Sequence, residues 1–182
     1  ILFVSPAADP SEAVQKTNDY MTAYGDTDCI YATGEDYITP AADVIKSRGI
    51  TDCKIYGSNI SPSVCQLIMD GQVEACTGGE FVCGSLAVTL LINYLDGNPI
   101  KDADGTAPYF DNLTQFMVTA ENAEDFYEFL SDENLATHTI SDEEYQNLLV
   151  RNNPDVDYDY FYDFLTNYEE NVYAKVEANA AQ

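Results

Sequence analysis

The chain has 182 residues, with 32 acidic against 7 basic side chains and a formal charge of -25. Charge of that sign repels both the phosphate backbone of nucleic acid and the anionic inner leaflet of a membrane, so neither is expected as a partner. Apolar residues reach 46%, enough to build a buried core and too many for global disorder. No run of roughly 18 apolar residues is present to span a bilayer.

In chain order, Ile1-Leu2-Phe3-Val4 reads as a buried strand. A chain opening on such a strand is expected to have lost an upstream part, by processing or by choice of the expressed piece. Pro10-Ser11-Glu12 opens a helix that runs to about Tyr24 and stops at Gly25. Cys29-Ile30-Tyr31-Ala32 is the next strand, and Pro40 suits the first turn of a helix through Ser47. Cys53–Gly57 is a strand, Ser61-Pro62-Ser63 caps a helix reaching Met69, and Val73–Thr77 is a further apolar strand. Gly84–Leu95 is an apolar helix ended by Asp96-Gly97-Asn98-Pro99. Alternation of strand and helix at this spacing implies right-handed βαβ units and a mainly parallel sheet flanked by helices, an α/β fold. Gln115–Thr119 and Glu121–Leu130 then read as one more strand and one more helix.

From Ser131 the texture changes to an acidic, Tyr-rich stretch. Phe161, Phe164, Leu165 and Tyr168 keep helical spacing, so residues 131–182 are expected to pack as one or two helices appended to an α/β domain over residues 1–130. The charge there is expected to be mostly a solvated face.

An internal echo, Thr27-Asp28-Cys29-Ile30-Tyr31 followed by Thr51-Asp52-Cys53-Lys54-Ile55-Tyr56, places two cysteines at equivalent strand starts. If those strands are neighbours, Cys29 and Cys53 lie close enough for a disulfide; two free buried thiols are the alternative. No cysteines form a C-x-x-C pair and His138 is the one histidine, so neither a zinc site nor Cys–His catalysis is expected. No other cofactor is expected either.

The ordered set of elements over residues 1–130 resembles the later part of type I periplasmic sugar-binding proteins, the ribose-binding kind. The residues that carry the likeness are Ile30-Tyr31-Ala32-Thr33-Gly34-Glu35-Asp36, Ile55-Tyr56-Gly57-Ser58-Asn59, Ser61-Pro62 and Ile68-Met69-Asp70-Gly71. The helix Gly84–Leu95 with its Asp96-Gly97 stop and the late Met117-Val118-Thr119-Ala120-Glu121-Asn122 complete it. The resemblance implies a periplasmic-binding-protein-like half-fold of a two-lobed receptor that holds a sugar-like ligand between its lobes and delivers it to the membrane subunits of an ABC transporter. It implies an extracytoplasmic protein, periplasmic or a cell-surface lipoprotein. Carried over by position, the ligand residues are Glu35, Asp36, Asn59 and Glu80 as acceptors for ligand hydroxyls, with Tyr37 or Phe81 to stack on a ring. The pattern departs from the family's: Gly34-Glu35 stands where it has Asn-Asp, Asn59 where it has Asp, Gly79-Glu80 near its Gln, and Pro10 near its Arg. The set is therefore rich in acceptors, which suits a different, even cationic, ligand or a cleft that no longer binds. A solvated loop charge is the ordinary role of any one of these acids; their shared location at the carboxyl ends of strands raises them above it.

Three other functions compete. Glu35 and Glu80 as acid and base would make a hydrolase, but no nucleophile elbow or phosphate loop accompanies them, so no enzyme activity is expected. An effector domain of a lac-repressor-type regulator shares the fold, against which the charge of -25 counts. The Tyr-rich tail could serve an interaction module with a vestigial cleft. The open strand edges of a half-fold invite pairing, so a homodimer is also expected.

Overall fold

The structure, a computed structural model, describes residues 4–80, 82–131 and 139–181. The expected opening strand lies outside those residues except for Val4. The described chain forms two units: residues up to Gly78 with Met117–Ser131, and Gly79–Phe116 with the segment from Thr139 onward.

In the first unit, α1 (Pro10–Ala23) begins where the Asp9 carboxylate accepts the Glu12 N–H at 2.8 Å and Pro10 fills the first turn. Ala13, Thr17 and Met21, each four residues apart, form its buried stripe, and the helix packs on α2 (Glu35–Ser47). Helix α2 starts at Glu35, five residues before the expected Pro40. Gly34 precedes it, Glu35 and Asp36 in its first turn suit the positive end of the helix dipole, and Pro40 is carried inside. The backbone bond Pro40 forgoes would reach only to the first turn, which limits the cost.

Strands β1 (Cys29–Ala32), β2 (Lys54–Ser58), β3 (Ala75–Gly78) and β4 (Phe116–Thr119) form one sheet in the order β1-β2-β3-β4. β1 pairs parallel with β2, and β2 parallel with β3, as the alternation of strands and helices requires. The sequence echo appears as register, with Ile30 opposite Ile55 and Tyr31 opposite Tyr56. Lys54 is the extra residue of the second copy, so it, not Cys53, stands opposite Cys29. Both cysteines are free thiols, Cys29 exposed and Cys53 buried. Burial, then the neighbouring Cys29 thiol and Asp28, push the Cys53 thiol above its ordinary value. Gly57 in β2 is a required small residue, since a Cβ there would collide with the Ile38 side chain of α2. Helices α3 (Pro62–Met69) and α5 (Ala123–Ser131) pack on each other, and Ile38, Ile55, Val64, Ile68, Val118 and Phe126 are nearly or fully buried.

The second unit holds α4 (Val82–Leu95) and the tail helices α6 (Asp142–Asn147), α7 (Tyr158–Thr166) and α8 (Tyr168–Ala180). The described residues of the tail hold three helices where one or two are expected. Ser141 and Glu144 form a reciprocal capping box that starts α6, Asp157 caps α7 through the Tyr160 N–H, and Asn167 separates α7 from α8. Phe161, Leu165 and Tyr168 of the expected helical stripe are buried. Phe110 stacks on Tyr158 with centroids 4.9 Å apart, and Tyr158 on Tyr162 at 6.2 Å, so these rings are spent on internal packing. The Asn112-Leu113-Thr114 triplet, which fits the glycosylation pattern, serves structure instead. The Asn112 amide donates to the Tyr162 carbonyl and the Thr166 hydroxyl, both at 2.7 Å.

Lys175 of α8 donates to the half-buried Glu144 carboxylate at 2.5 Å. Burial alone would raise the Glu144 carboxyl, but the hydrogen bonds from Lys175 and Ser141 outweigh it and hold the group below its ordinary 4.5. A depressed carboxylate contributes stability above its unfolded value and loses it as pH falls through the folded one. Lys175→Met is therefore expected to cost about 1–2 kcal/mol at pH 7, the worth of a hydrogen bond to a charged group discounted for partial exposure. The difference from the parent should shrink in urea melts as pH drops below 4.5. An equal difference at pH 3 and pH 7 would show that the pair contributes packing only.

Candidate functional site

The parallel register aligns Ala32, the last residue of β1, with Gly57, one residue before the end of β2. The loops that follow both strands therefore emerge side by side at the carboxyl edge of the sheet, the place where open α/β folds put their ligands. The first loop runs through Thr33 and the buried Gly34 into α2, so Glu35, Asp36 and Tyr37 sit on that helix's opening turn. Asp36 is exposed, while Glu35 and Tyr37 are half-buried. The second loop begins with Asn59, exposed and at φ 74°, the left-handed region that asparagine tolerates better than most residues. That conformation turns the chain sharply out of β2 before Ser61 caps α3 by accepting the Val64 N–H.

Ser63, in the first turn of α3, donates its hydroxyl to the Glu35 carboxylate, and its oxygen lies 3.2 Å from that of Ser61. The structure thus joins the opening turns of α2 and α3 through Glu35, Ser63 and Ser61. Neither serine was singled out as a site residue by the sequence, where both read only as helix-cap chemistry. A carboxylate and hydroxyls held at one sheet edge make an acceptor-rich surface with a few donors, suited to a polyhydroxylated molecule.

In the second unit, Glu80 lies between Gly79 and the start of α4. Both of its carboxylate oxygens are shielded from solvent, with no hydrogen-bond partner among the described residues. The Tyr168 hydroxyl is likewise shielded, with the Thr139 side chain beside it. Burial pushes the Tyr168 phenol up to about 12, with Glu144, Cys83 and Glu80 adding to the rise. Gly79, at φ 121°, is placed so that a Cβ would meet the Tyr168 ring at 3.1 Å. A buried carboxylate is costly unless donors meet it. Phe81, expected as a ring to stack on the ligand, lies outside the described residues, as does His138. Glu35 and Glu80 belong to different units.

Among the described residues no group of His, Cys, Asp or Glu is arranged to hold a metal ion. None of their helices is long and apolar enough to cross a membrane.

A parallel, helix-flanked sheet with polar side chains gathered at its carboxyl edge is the arrangement in which open α/β folds place their ligands. Residues 2–99, more than half of the chain, match the family described as periplasmic binding protein domain, and the chain belongs to that family. The same fold is found in a periplasmic sugar-binding protein from Pseudomonas fluorescens, with a TM-score of 0.62 and 17% identity over 84% of this chain and 45% of that one. The periplasmic binding component of the arabinose ABC transporter from Shewanella sp. ANA-3, bound to L-arabinofuranose, gives 0.56 and 20% over 70% of this chain and 42% of that one. A galactofuranose-binding protein gives 0.56 and 16% over 68% and 42%. The chain spans less than half the length of these structures. A comparison with curated proteins gives no match.

Proposed function

We propose that this chain is part of an extracytoplasmic solute-binding protein, periplasmic or anchored at the cell surface as a lipoprotein, that binds a sugar-like molecule for uptake through the membrane subunits of an ABC transporter. The observation that carries this reading is the adjacency of the Glu35-Asp36-Tyr37 turn and Asn59 at the carboxyl edge of β1 and β2. The sugar-binding proteins that share its fold support the ligand class. In this reading Glu35, Asp36 and Asn59 accept hydroxyl protons, Ser63 orients Glu35 and Tyr37 stacks on the ring, while Glu80 of the second unit is a separate candidate acceptor. No chemistry is performed on the ligand, and the protein is not an enzyme.

The test is thermal melting of the natural gene's whole translation product against a panel of pentoses, hexoses, amino sugars, oligosaccharides and nucleosides. A ligand present at a hundred times its Kd stabilises by about 2.7 kcal/mol, which raises Tm by about 5–11 °C for a domain of roughly 150–250 residues and by less for a longer one. Asn59→Gly, which removes the amide and keeps the left-handed turn, should weaken binding at least tenfold (about 1.4 kcal/mol) without destabilising the free protein by more than about 1 kcal/mol. A panel without a single shift would remove the sugar reading.

Export carries its own prediction. In an oxidising compartment the neighbouring Cys29 and Cys53 are expected to join as a disulfide, leaving three thiols among the five cysteines for titration in unfolding, unreduced conditions. Five titratable thiols on protein taken from its native compartment would overturn the pairing.

A further inference from the structure

Tyr168 opens α8 and is among the largest side chains held fully away from solvent. Phe116 and Phe164 pack tilted against its ring, with centroids 6.4 and 6.2 Å away. Phenylalanine would fill that space without a polar atom, so the hydroxyl is the part of Tyr168 that packing does not require. A buried phenol hydroxyl is costly unless it is hydrogen-bonded, and it has two capacities, a proton to donate and an oxygen that accepts. Thr139, itself buried, lies beside it. Burial pushes the phenol up to about 12, and the Thr139 hydroxyl opposes that rise, as a group donating to the phenol oxygen does. With a value so far above neutrality, the phenol keeps its own proton and has it free to give elsewhere.

The hydroxyl end of the ring lies against the turn that carries Glu80. A Cβ on Gly79, at φ 121°, would stand 3.1 Å from Cε1, the ring carbon next to the one that bears the hydroxyl. Glu144, Cys83 and Glu80 are the groups whose charge the phenol feels. Glu144 is engaged by Lys175 and Ser141, and Cys83 is exposed. Both oxygens of Glu80 are shielded from solvent, and no hydrogen bond joins them to Tyr168. All of these residues belong to one unit. A donor with a spare proton and an acceptor that no described donor meets therefore stand near each other without bonding.

We propose that Tyr168 is a specificity-determining residue of the receptor, and that Tyr168 and Glu80 together take one hydroxyl group of the ligand. That hydroxyl accepts from the phenol and donates to the carboxylate; the inference rests on the sugar-receptor reading. A hydroxyl fits because it can do both at once. An ammonium has no lone pair for the phenol, and a carbonyl or carboxylate oxygen has no proton for Glu80. Either mismatch leaves a buried polar group unmet, the kind of penalty by which a site rejects an analogue strongly. At this position the pair selects a neutral polyol over a cationic ligand. Tyr168 lies beyond the residues 2–99 that match the family, so the contact gives the acidic tail a part in recognition.

The test is isothermal titration calorimetry of the natural gene's whole translation product with D-ribose, L-arabinose, D-galactose, D-glucose and maltose as probes. Tyr168→Phe keeps the ring and removes the proton. The Tm of the free protein should stay within about 4 °C of the parent, while the Kd of whichever probe binds should rise at least about tenfold. Glu80→Gln should weaken the same probe by a similar factor. The double variant should lose little more than either single one, because both groups hold the same hydroxyl. Tyr162→Phe, an exposed ring of α7, is the control and should leave the Kd unchanged. An unchanged Kd in Tyr168→Phe would overturn this inference and leave the receptor reading intact. Losses that multiply in the double variant would place the two groups at separate points and overturn it as well. A larger fall in Tm, with affinity lost alongside, would make Tyr168 a structural residue. No binding of any probe by the parent protein would also remove the inference, while the wider melting panel decides the receptor reading itself.

Discussion

Asn93→Leu is expected to lower the stability of the α4 unit by about 3 kcal/mol, among the largest losses available from one side chain outside the apolar core. Asn93 is fully buried in the last turns of α4. Its amide nitrogen donates to the Leu148 carbonyl at 2.9 Å, and its oxygen accepts the Val150 N–H at 2.9 Å. One side chain thus satisfies two main-chain groups of the segment that follows α6, where Leu148 and Leu149 are themselves buried. Leucine preserves the volume while stranding the buried Leu148 carbonyl, at roughly 1–3 kcal/mol, and the half-buried Val150 N–H, at somewhat less. At roughly 2–4 °C per kcal/mol for a chain of this size, Tm should fall by about 6–12 °C. Asn98→Leu is the control, because Asn98 is exposed and makes one long contact of 3.4 Å, to the Asp96 carbonyl. The measurement is thermal melting followed by near-ultraviolet circular dichroism of the buried tyrosines. A loss no larger for Asn93 than for Asn98 would mean that the tail helices are held by their apolar contacts alone.

What the sequence made legible is what local chemistry determines. Pro10, Ser61 and Gly97 announce the helix ends at which they stand, and the alternation of strands and helices announced that the sheet is parallel; the Thr-Asp-Cys echo left open whether its two strands are neighbours, as β1 and β2 prove to be. The start of α2 was misplaced because Pro40 is a strong local signal, and the burial of Ile38 and the acidic opening turn outweigh it. The site was legible only in part. Position in the chain located Glu35 and Asn59 at a sheet edge, because strand order follows from the alternation of strands and helices. No pattern along the chain could show that Ser63 would reach Glu35 across 28 residues, or that Asn93 would bridge to Leu148 across 55. These pairings are set by packing of whole elements, and the side chains involved look ordinary in sequence.

Glu80→Gln should raise the stability of the ligand-free protein and lower its affinity for ligand. These opposite signs separate a binding residue from a structural one. Both Glu80 oxygens are shielded from solvent and unpartnered among the described residues. A carboxylate held away from solvent is costly unless donors meet it, and such a cost is retained where function needs it. Glutamine keeps the shape and removes the charge, so the free protein should gain about 1–2 kcal/mol, seen as a Tm higher by about 2–8 °C. In the proposed receptor the carboxylate accepts hydroxyl protons from the ligand, and a charged acceptor makes roughly twice the hydrogen bond of a neutral one. Replacing it should weaken binding at least tenfold, or about 1.4 kcal/mol. The pair of measurements is decisive because the two effects do not share a cause. If Glu80 were an ordinary part of the fold, Gln would be neutral or destabilising and affinity would follow stability downward. A more stable protein with unchanged affinity would leave the burial cost real and remove Glu80 from the ligand set, placing recognition on the Glu35–Asn59 edge alone.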